Sequence, residues 1–380
     1  MTPLHARTNS PKRLILGLCL SLMSSMQPVF TFSALLPQFQ EAWGLTSTEA
    51  GWISGVYFAG YAVSVALLTS LTDRMDARRV CQFGALVGVV SACGFALWAE
   101  GFWSAMLFRS LGGISLAGTY MPGLKALTDR LEPGTTVTRA TAFYTSSFGV
   151  GSALSFLAAG TVNAHVGWEA AFVVASTGGL VAFGIVTWLL LPLPPPAQQT
   201  DRNFLDPRPV LKNRDSVGYI ICYLVHNYEL FGFRSWMVAF LTFTALQNGG
   251  EAFSPTLLSA LVVVLGMPAS VTGNELSLRF GRQRVVIAIM LTSALISFGV
   301  ALSALHSVLV AFLALAVYGV FVMGDSSSIT AGALQSAPPE LRGITLRPTP
   351  AWASSAPSWD RSGLAGCWIS SAAGKNCWTG

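Results

Sequence analysis

Four charged residues lie deep inside long apolar stretches of this sequence: Arg109, Glu229, Arg234 and Asp325. A charge is costly in an apolar medium, so each is a default candidate for binding or coupling. Neither a P-loop nor a nucleophile elbow accompanies them, and the cysteines show no metal-ligand spacing. We therefore expect no enzyme, no cofactor and no metal site. The chemistry open to these residues is recognition of a solute and exchange of a proton.

The cluster HNYELFGFRSW, at residues 226–236, concentrates this chemistry. Five residues turn a helix through about 140°, so Glu229 and Arg234 are poor partners on one helix. We expect Glu229 to meet either His226, one turn earlier, or Arg109 from across a central cavity. His226 is either a proton relay or a hydrogen bonder between helices. For Arg234, a role in the site and extension to the membrane interface both stay open.

Arg109 and Gln27 are the candidates in the first part of the chain. Residue counting places Arg109 about 9 Å from one membrane boundary and Glu229 about 18 Å from the other. In a hydrocarbon core about 30 Å thick, these depths are similar. Arg109 could instead extend to the outer interface, but positive charge is disfavoured on that side. Gln27, beside Pro28, is a further candidate for a cavity.

The elements that hold these residues are predicted to be membrane-spanning helices. Hydrophobic residues make up 52% of the 380 residues and charged residues only 10%, which excludes a water-soluble core of ordinary composition. A helix needs about 20 mostly apolar residues to cross a membrane. Ten stretches meet this requirement, at 14–36, 50–72, 80–99, 103–124, 140–160, 168–191, 216–246, 253–277, 285–305 and 307–335.

The distribution of Lys and Arg predicts the orientation of these helices. Alternate loops contain no Lys or Arg, at 37–49, 100–102, 161–167, 247–252 and 306, whereas the opposite loops are basic. Basic loops stay on the cytoplasmic side, so we expect a cytoplasmic N-terminus in an inner, cytoplasmic membrane. The net charge of +5 then reflects contact with anionic lipid, and we expect no nucleic-acid partner.

A short charged loop, LTDRMDARRV, separates the second and third stretches. It resembles the loop signature of the major facilitator superfamily, which is Gly, four residues, Asp-Arg, one residue, Gly and then basic residues. Asp73 and Arg74 match this signature, whereas Leu68 and Asp76 stand where the family has Gly. By the resemblance, Asp73 meets the end of a neighbouring helix and latches the inner side. The alternative is that the charges merely hold the loop on that side.

The signature recurs 205 positions later, between the eighth and ninth stretches. This copy begins at Gly273, has Leu278 at the Asp position, and continues with Arg279. The resemblance implies an all-α integral membrane protein with two six-helix repeats of the major facilitator type. The predicted regions are an N-terminal half at 1–190, a cytoplasmic linker at 191–215, a C-terminal half at 216–343 and an aberrant tail at 344–380.

The resemblance also implies a function, that of a secondary active transporter. Such a protein moves a small solute by alternating access and takes its energy from an ion or proton gradient. The alternative class is a membrane receptor that uses the same fold without transport. We expect a monomer whose partners are the solute, membrane lipid and protons.

Two further details of the resemblance concern the fourth and tenth stretches. Arg109 matches the family's fourth-helix motif, here LFRSLGGISLAG, whose glycines permit close helix approach. Lys125 and Asp325 occupy equivalent places in the two repeats and are predicted to pair as an inner gate. The alternative is that Lys125 simply ends its helix at the interface.

The tail departs from the repeat. Arg342-Gly343 should lead into an eleventh span as Arg139-Ala140 leads into the fifth, but residues 344–380 contain no apolar stretch of about 20. Reading the codons one base early turns Trp352-Ala353 into Leu, Met or Val followed by Gly. We therefore predict a frameshift near residue 344 that removed spans eleven and twelve, and a chain unable to transport as written. The alternative is a native disordered tail.

Overall fold

The computed structural model describes residues 10–131, 135–194, 213–248 and 253–336. The N-terminal helices are α1 (Pro11–Ser25), α2 (Thr31–Ala34), α3 (Leu36–Trp43), α4 (Ser47–Leu71), α5 (Ala77–Trp98), α6 (Phe102–Thr128), α7 (Thr135–Val166) and α8 (Trp168–Leu189). The C-terminal helices are α9 (Arg214–Asn248), α10 (Pro255–Phe280), α11 (Arg282–Ser303), α12 (Val308–Gly324) and α13 (Ser326–Ser336). The predicted tail and most of the predicted linker lie outside the described residues.

The all-helical class predicted from the sequence is confirmed, and each predicted span coincides with one or more helices. By length and composition, six helical segments of the described residues can cross a membrane: α4, α5, α8, α10, α11 and the stretch Val308–Ala333 that joins α12 to α13. Helices α6, α7 and α9 are at least as long but contain more polar and small residues. These three helices and the broken first span supply most of the buried polar side chains described below.

Two predicted spans are not continuous helices. The first breaks at the turn Met26–Phe30, between α1 and α2. Pro28 explains this break because proline has no backbone N–H and its ring disfavours a helical residue before it. The tenth has a one-residue interruption at Asp325, between α12 and α13, where φ of −91° and ψ of −15° stay in the right-handed helical region.

Glycines set the distances between the N-terminal helices. A Cβ added at Gly84 would lie 2.7 Å from the backbone of Gly118, so α5 and α6 touch through their main chains. Helices α4 and α6 meet in the same way at Gly113, where an added Cβ would lie 1.9 Å from the carbonyl oxygen of Tyr57. These contacts confirm that the glycines are packing positions. Helix α6 is thereby fixed against both neighbours, which positions Arg109.

An aromatic cluster holds the broken first span in place. Phe39 of α3 stacks on Phe32 of α2 with ring centroids 5.2 Å apart, and it also meets Phe95 and Phe172 edge to face. The rings of Phe95 and Phe172 stack at 4.0 Å, which joins α5 to α8. Each ring of this cluster is almost fully buried. The turn at Met26–Phe30 therefore lies between a packed aromatic end and the helix α1.

Candidate solute-binding and coupling site

The turn at Met26–Phe30 exposes backbone groups that a continuous helix would satisfy internally. Ser155 of α7 satisfies two of these backbone groups. Its hydroxyl donates to the carbonyl of Gln27 at 2.5 Å and accepts from the Phe30 N–H at 3.1 Å. The Gln27 side chain donates back to the Met23 carbonyl at 2.9 Å. Gln27 thus lies in the break, with its amide used to close the end of α1.

Arg109 of α6 points into this turn. Its Nη1 donates to the carbonyl oxygens of Pro28 at 3.1 Å and Val29 at 3.0 Å, and its guanidinium lies 4.2 Å from the ring centroid of Tyr57. The side chain is only 3% exposed. Arg109 therefore does not extend to the interface, because the carbonyls freed by the break at Pro28 and the face of Tyr57 receive the cation inside the protein.

Arg234 of α9 is equally buried and connects the two groups of helices. Its Nη1 donates to the hydroxyl of Ser152 in α7 at 3.2 Å, and its Nη2 lies 3.9 Å from the sulfur of Met323 in α12. Its guanidinium also lies over the rings of Phe30 and Phe148, at 5.6 and 6.0 Å. The structure gives Arg234 an interior position and does not place it at the membrane interface.

His226 and Asp325 form a buried pair at the second helix break. Nδ1 of His226 lies 2.7 Å from Oδ1 of Asp325, and each side chain is 2% exposed. Neither atom has an aligned hydrogen bond to any described residue, so the contact is a close approach of a ring nitrogen to a carboxylate. The break after Gly324 brings Asp325 to α9, which sequence spacing alone did not indicate.

Glu229 contacts neither of the two partners that the sequence suggested. Its Oε1 accepts hydrogen bonds from the hydroxyls of Ser293 in α11 and Tyr318 in α12, the latter at 2.8 Å. His226 instead meets Asp325, and Arg109 is held by backbone carbonyls. The reason is rotational: the face of α9 that carries Glu229 is turned toward α11 and α12.

The predicted gate pair is also not formed in this structure. Lys125 donates to the carboxylate of Asp129, one turn further along α6, with a closest distance of 3.0 Å. Both side chains of that pair are about one-third exposed. Asp325 is buried against His226, so the two predicted gate residues have other partners here.

The two copies of the loop signature are placed at equivalent helix ends. Asp73 and Arg74 lie in the turn after α4, with Arg74 exposed. In the second copy, Gly273 packs against Gly324, because an added Cβ would lie 1.7 Å from the Gly324 carbonyl oxygen. Arg279 is exposed in the last turn of α10. Gly273 is therefore a packing residue next to the break that carries Asp325.

The strongest contacts of the first loop belong to Asp76, which the sequence analysis did not select as a site residue. Its carboxylate accepts from the N–H of Arg78 at 3.0 Å and from the N–H of Leu193 at 2.8 Å, and it pairs with Arg130 at 3.1 Å. Arg130 also donates to the carbonyl of Leu191 at 2.8 Å. We call these residues the Asp76 cluster. It joins the ends of α5, α6 and α8.

The electrostatics of the Asp76 cluster favour an ionised carboxylate. Burial by itself raises the pKa of Asp76, but the hydrogen bonds from Leu193, Arg78 and Arg130 and the charge of Arg130 outweigh it, and the net pKa is lowered. A sequence signal was available, because Asp is a preferred N-cap and α5 begins at the next residue, Ala77.

Comparisons with known proteins agree with this architecture. The chain is 25% identical over 311 residues to a "Putative metabolite transport protein" of Haemophilus influenzae, covering 78% of this chain and 74% of that protein. It is 24% identical over 270 residues to an uncharacterized MFS-type transporter of Bacillus subtilis, covering 69% of this chain and 66% of that protein.

Solved structures share the fold at low sequence identity. A bacterial homolog of the human lysosomal transporter Spinster, crystallised inward-facing and unoccupied, superposes with a TM-score of 0.78 at 17% identity, covering 96% of this chain and 84% of that one. A D-xylose-proton symporter superposes with a TM-score of 0.74 at 14% identity, covering 93% and 89%. The family model of the Major Facilitator Superfamily matches residues 15–346. The chain therefore belongs to the Major Facilitator Superfamily and is a multi-pass membrane transporter.

Proposed function

We propose that this protein is a secondary active transporter that moves a small solute by alternating access and couples the movement to protons at the His226–Asp325 pair. The observation that carries the proposal is the burial of this pair, with the two side chains 2% exposed and 2.7 Å apart. A histidine beside a carboxylate inside a membrane protein is an arrangement that proton relays in transporters use. The D-xylose-proton symporter among the structural neighbours is consistent with this coupling.

The helix breaks support the location of the site. Transporters build their binding and coupling sites from discontinuous helices near the middle of the membrane. Here the break at Met26–Phe30 receives Arg109 from α6, and the break at Asp325 receives His226 from α9. One break lies in the N-terminal helices and the other in the C-terminal helices. The candidate residues therefore lie where relative motion of the two groups can open and close a site between them.

The contacts between the two groups support a conformation that is closed on one side. Gly160 of α7 meets Thr256 of α10, since an added Cβ would lie 1.9 Å from the Thr256 hydroxyl. With the N-terminus in the cytoplasm of an inner membrane, as the Lys and Arg distribution predicts, this contact closes the outer side. Alternating access then requires these two helices to separate.

The test is solute-dependent proton movement. The purified chain is reconstituted in proteoliposomes with an internal pH-sensitive dye, and sugars, nucleosides, dipeptides and carboxylates are added in turn. If the tail is native, we expect one of these classes to change the internal pH and to be accumulated against its gradient when a proton gradient is imposed. If a frameshift removed the last two spans, we expect the same result only after the alternate reading frame is restored. Asp325→Asn should abolish accumulation but retain exchange of internal for external solute, because exchange does not require release of the proton.

Asp129→Asn is the matched control, because it changes the same functional group in the Lys125–Asp129 pair, which is about one-third exposed. This variant should accumulate solute normally. Uptake that saturates without any pH change, or full accumulation by Asp325→Asn, would contradict proton coupling at this pair. A solute that binds but never crosses the membrane would favour the receptor alternative.

A further inference from the structure

Two buried arginines approach the same short turn from the two groups of helices. Arg109 donates to the carbonyls of Pro28 and Val29, and the guanidinium of Arg234 lies 5.6 Å from the ring centroid of Phe30, the next residue. The two side chains are 3% and 2% exposed. The turn at Met26–Phe30 is therefore flanked by two cations that are removed from water.

No carboxylate within the described ranges neutralises either cation. The two acids of the interior have other partners, since Asp325 meets His226 and Glu229 accepts from Tyr318 and Ser293. The Nε of Arg109 is buried and has no hydrogen-bond partner among the described residues. A buried charge without an opposite charge is strongly destabilising, so this arrangement calls for a negative group that the described residues do not supply.

Arg234 has the weaker acceptors of the two arginines, because Arg109 donates to two backbone carbonyls whereas Arg234 meets a hydroxyl and a thioether. A guanidinium has five N–H donors. The described contacts of Arg234 use one donor on the Ser152 hydroxyl and place another 3.9 Å from the thioether of Met323, a weak acceptor. The rings of Phe30 and Phe148 cover its faces without accepting these N–H groups in the plane. The N–H groups in the plane of the Arg234 guanidinium therefore have the arrangement that binds the two oxygens of a carboxylate or phosphate.

We propose that the transported solute is an organic anion whose carboxylate or phosphate group is bound by Arg234, with Arg109 as the second cation. This assignment rests on the proposed transport function and names its substrate class. The hydrogen bond from Arg234 to Ser152 connects the C-terminal helices to the N-terminal ones, so separation of the two groups breaks it. An anion then replaces the lost partner of Arg234 on each opening.

The test measures binding without requiring transport. Thermal unfolding of the purified full chain is followed in detergent with succinate, inorganic phosphate, glycerol 3-phosphate, glycerol or choline, at equal ionic strength. We expect at least one of the three anions to raise the Tm, and glycerol and choline to leave it unchanged, because only a ligand of the native state stabilises it. Comparing the Tm shift with succinate to the shifts with the two phosphate compounds distinguishes a carboxylate site from a phosphate site.

Three variants assign the effect to Arg234. Arg234→Gln should weaken anion binding about thirtyfold or more, because a buried charge partner is lost. Arg234→Lys, which keeps the charge, should retain a weaker but measurable response and shows that the position tolerates change. Arg79→Gln removes the same functional group from an exposed position beside the Asp76 cluster and should bind as the unmodified chain does.

Two results would overturn the anion assignment. One is that none of the three anions raises the Tm of the unmodified chain. The other is that Arg234→Gln, shown to be folded by gel filtration, keeps the full anion response. Anion binding without any uptake in proteoliposomes would leave this site in place and show that the chain as written does not transport. Saturable uptake of an uncharged solute without anion stabilisation would support transport and refute the anion.

Discussion

At the scale of single residues, the second glycine position of the loop signature is occupied differently in the two copies, by Asp76 in the first and by Gly281 in the second. In the second copy Gly281 has φ of +91°, a conformation that favours glycine. In the first copy Asp76 has φ of −56°, which any residue adopts, so the backbone does not require glycine there. The position is therefore free to carry a carboxylate, which caps α5 and pairs with Arg130.

We expect Asp76→Asn to destabilise the protein by about 1–2 kcal/mol, because the ionised acceptor of hydrogen bonds from three donor groups is lost. Its side chain is 8% exposed, so water replaces these contacts poorly. The measurement is thermal unfolding in detergent. Asp129→Asn, in a pair about one-third exposed, should change stability by less than about 0.5 kcal/mol. Equal effects of the two substitutions would contradict the importance of the cluster.

The same substitution predicts a dependence on pH. The pKa of Asp76 is lowered on folding, so its contribution is complete above the ordinary Asp pKa of about 3.9 and is lost as the pH falls toward the lower folded value. The stability difference between the unmodified chain and Asp76→Asn should thus be constant from pH 7 to about 5 and shrink below about 4. A difference that grows on acidification would give the opposite sign and disprove this linkage.

At the scale of elements, the approach of α4 to α6 depends on glycines without side chains, and Gly113 makes the closest of these contacts. An added Cβ at Gly113 would lie 1.9 Å from the Tyr57 carbonyl and 2.7 Å from the Tyr61 nitrogen, both of them backbone atoms that cannot rotate away. Gly184 of α8 is a helical glycine, and none of the described residues comes within 4 Å of a Cβ added there. Substituting alanine at both positions therefore distinguishes the effect of steric contact, which only Gly113 has, from the effect of helix propensity, which both have.

We expect Gly113→Ala to destabilise the protein by about 3 kcal/mol, because the two helices must move apart. Gly184→Ala should be neutral or stabilise it by up to about 1 kcal/mol, because alanine is the better helix former. Thermal unfolding of both variants in one detergent provides the comparison. Gly113→Ala should also reduce transport, since α6 carries Arg109. Normal stability of Gly113→Ala would show that the backbone contact is looser than the structure indicates.

The helices were predictable from the sequence because apolar length alone identifies them, and the glycines of α5 and α6 indicated which faces pack. The break at Pro28 had a visible cause, whereas the interruption at Asp325 contains no proline and places this residue beside His226. Partner choice was not predictable. Glu229 meets Ser293 and Tyr318 because of how α9 is rotated, and residue spacing within one helix does not specify its rotation against others.

At the scale of the whole molecule, the N-terminal and C-terminal helices meet mainly where α7 packs against α10, with further contacts at α9. Phe58 of α4 stacks on Phe231 of α9 at 4.0 Å, and Arg234 donates to Ser152. Toward the predicted outer side, α7 and α10 meet at Gly160 and Thr256. If these contacts close one side of a rocking transporter, holding them together covalently should stop the cycle.

The pair Gly160→Cys with Thr256→Cys tests this. A Cβ at Gly160 would lie 2.6 Å from the Thr256 Cβ, so a small separation of the helices allows a disulfide, which needs about 3.5–4.5 Å. We expect mild oxidation to link the two cysteines, as seen by mass spectrometry of the joined peptides, and to abolish uptake until a reductant is added. Uptake by a variant that carries only one of the two substitutions should be insensitive to oxidation. Full uptake by the linked protein would rule out separation of α7 from α10 during transport.

The Asp76 cluster has a last consequence, which concerns how tightly the two groups of helices need to hold each other. In this cluster, the N–H of Leu193 donates to Asp76 and so binds the chain to the N-terminal helices. Asn213 donates to the Ser336 carbonyl at 2.8 Å and so binds the chain to the C-terminal helices. These anchors are 20 positions apart, a span of at most about 70 Å when fully extended. Each group therefore experiences the other at an effective concentration on the order of 1 mM or higher. At about 1 mM, an interface with a binding free energy of only about 4 kcal/mol is formed in half of the molecules. Neither the outward-facing nor the inward-facing arrangement therefore needs strong contacts between the two groups, and the protein can leave either one easily.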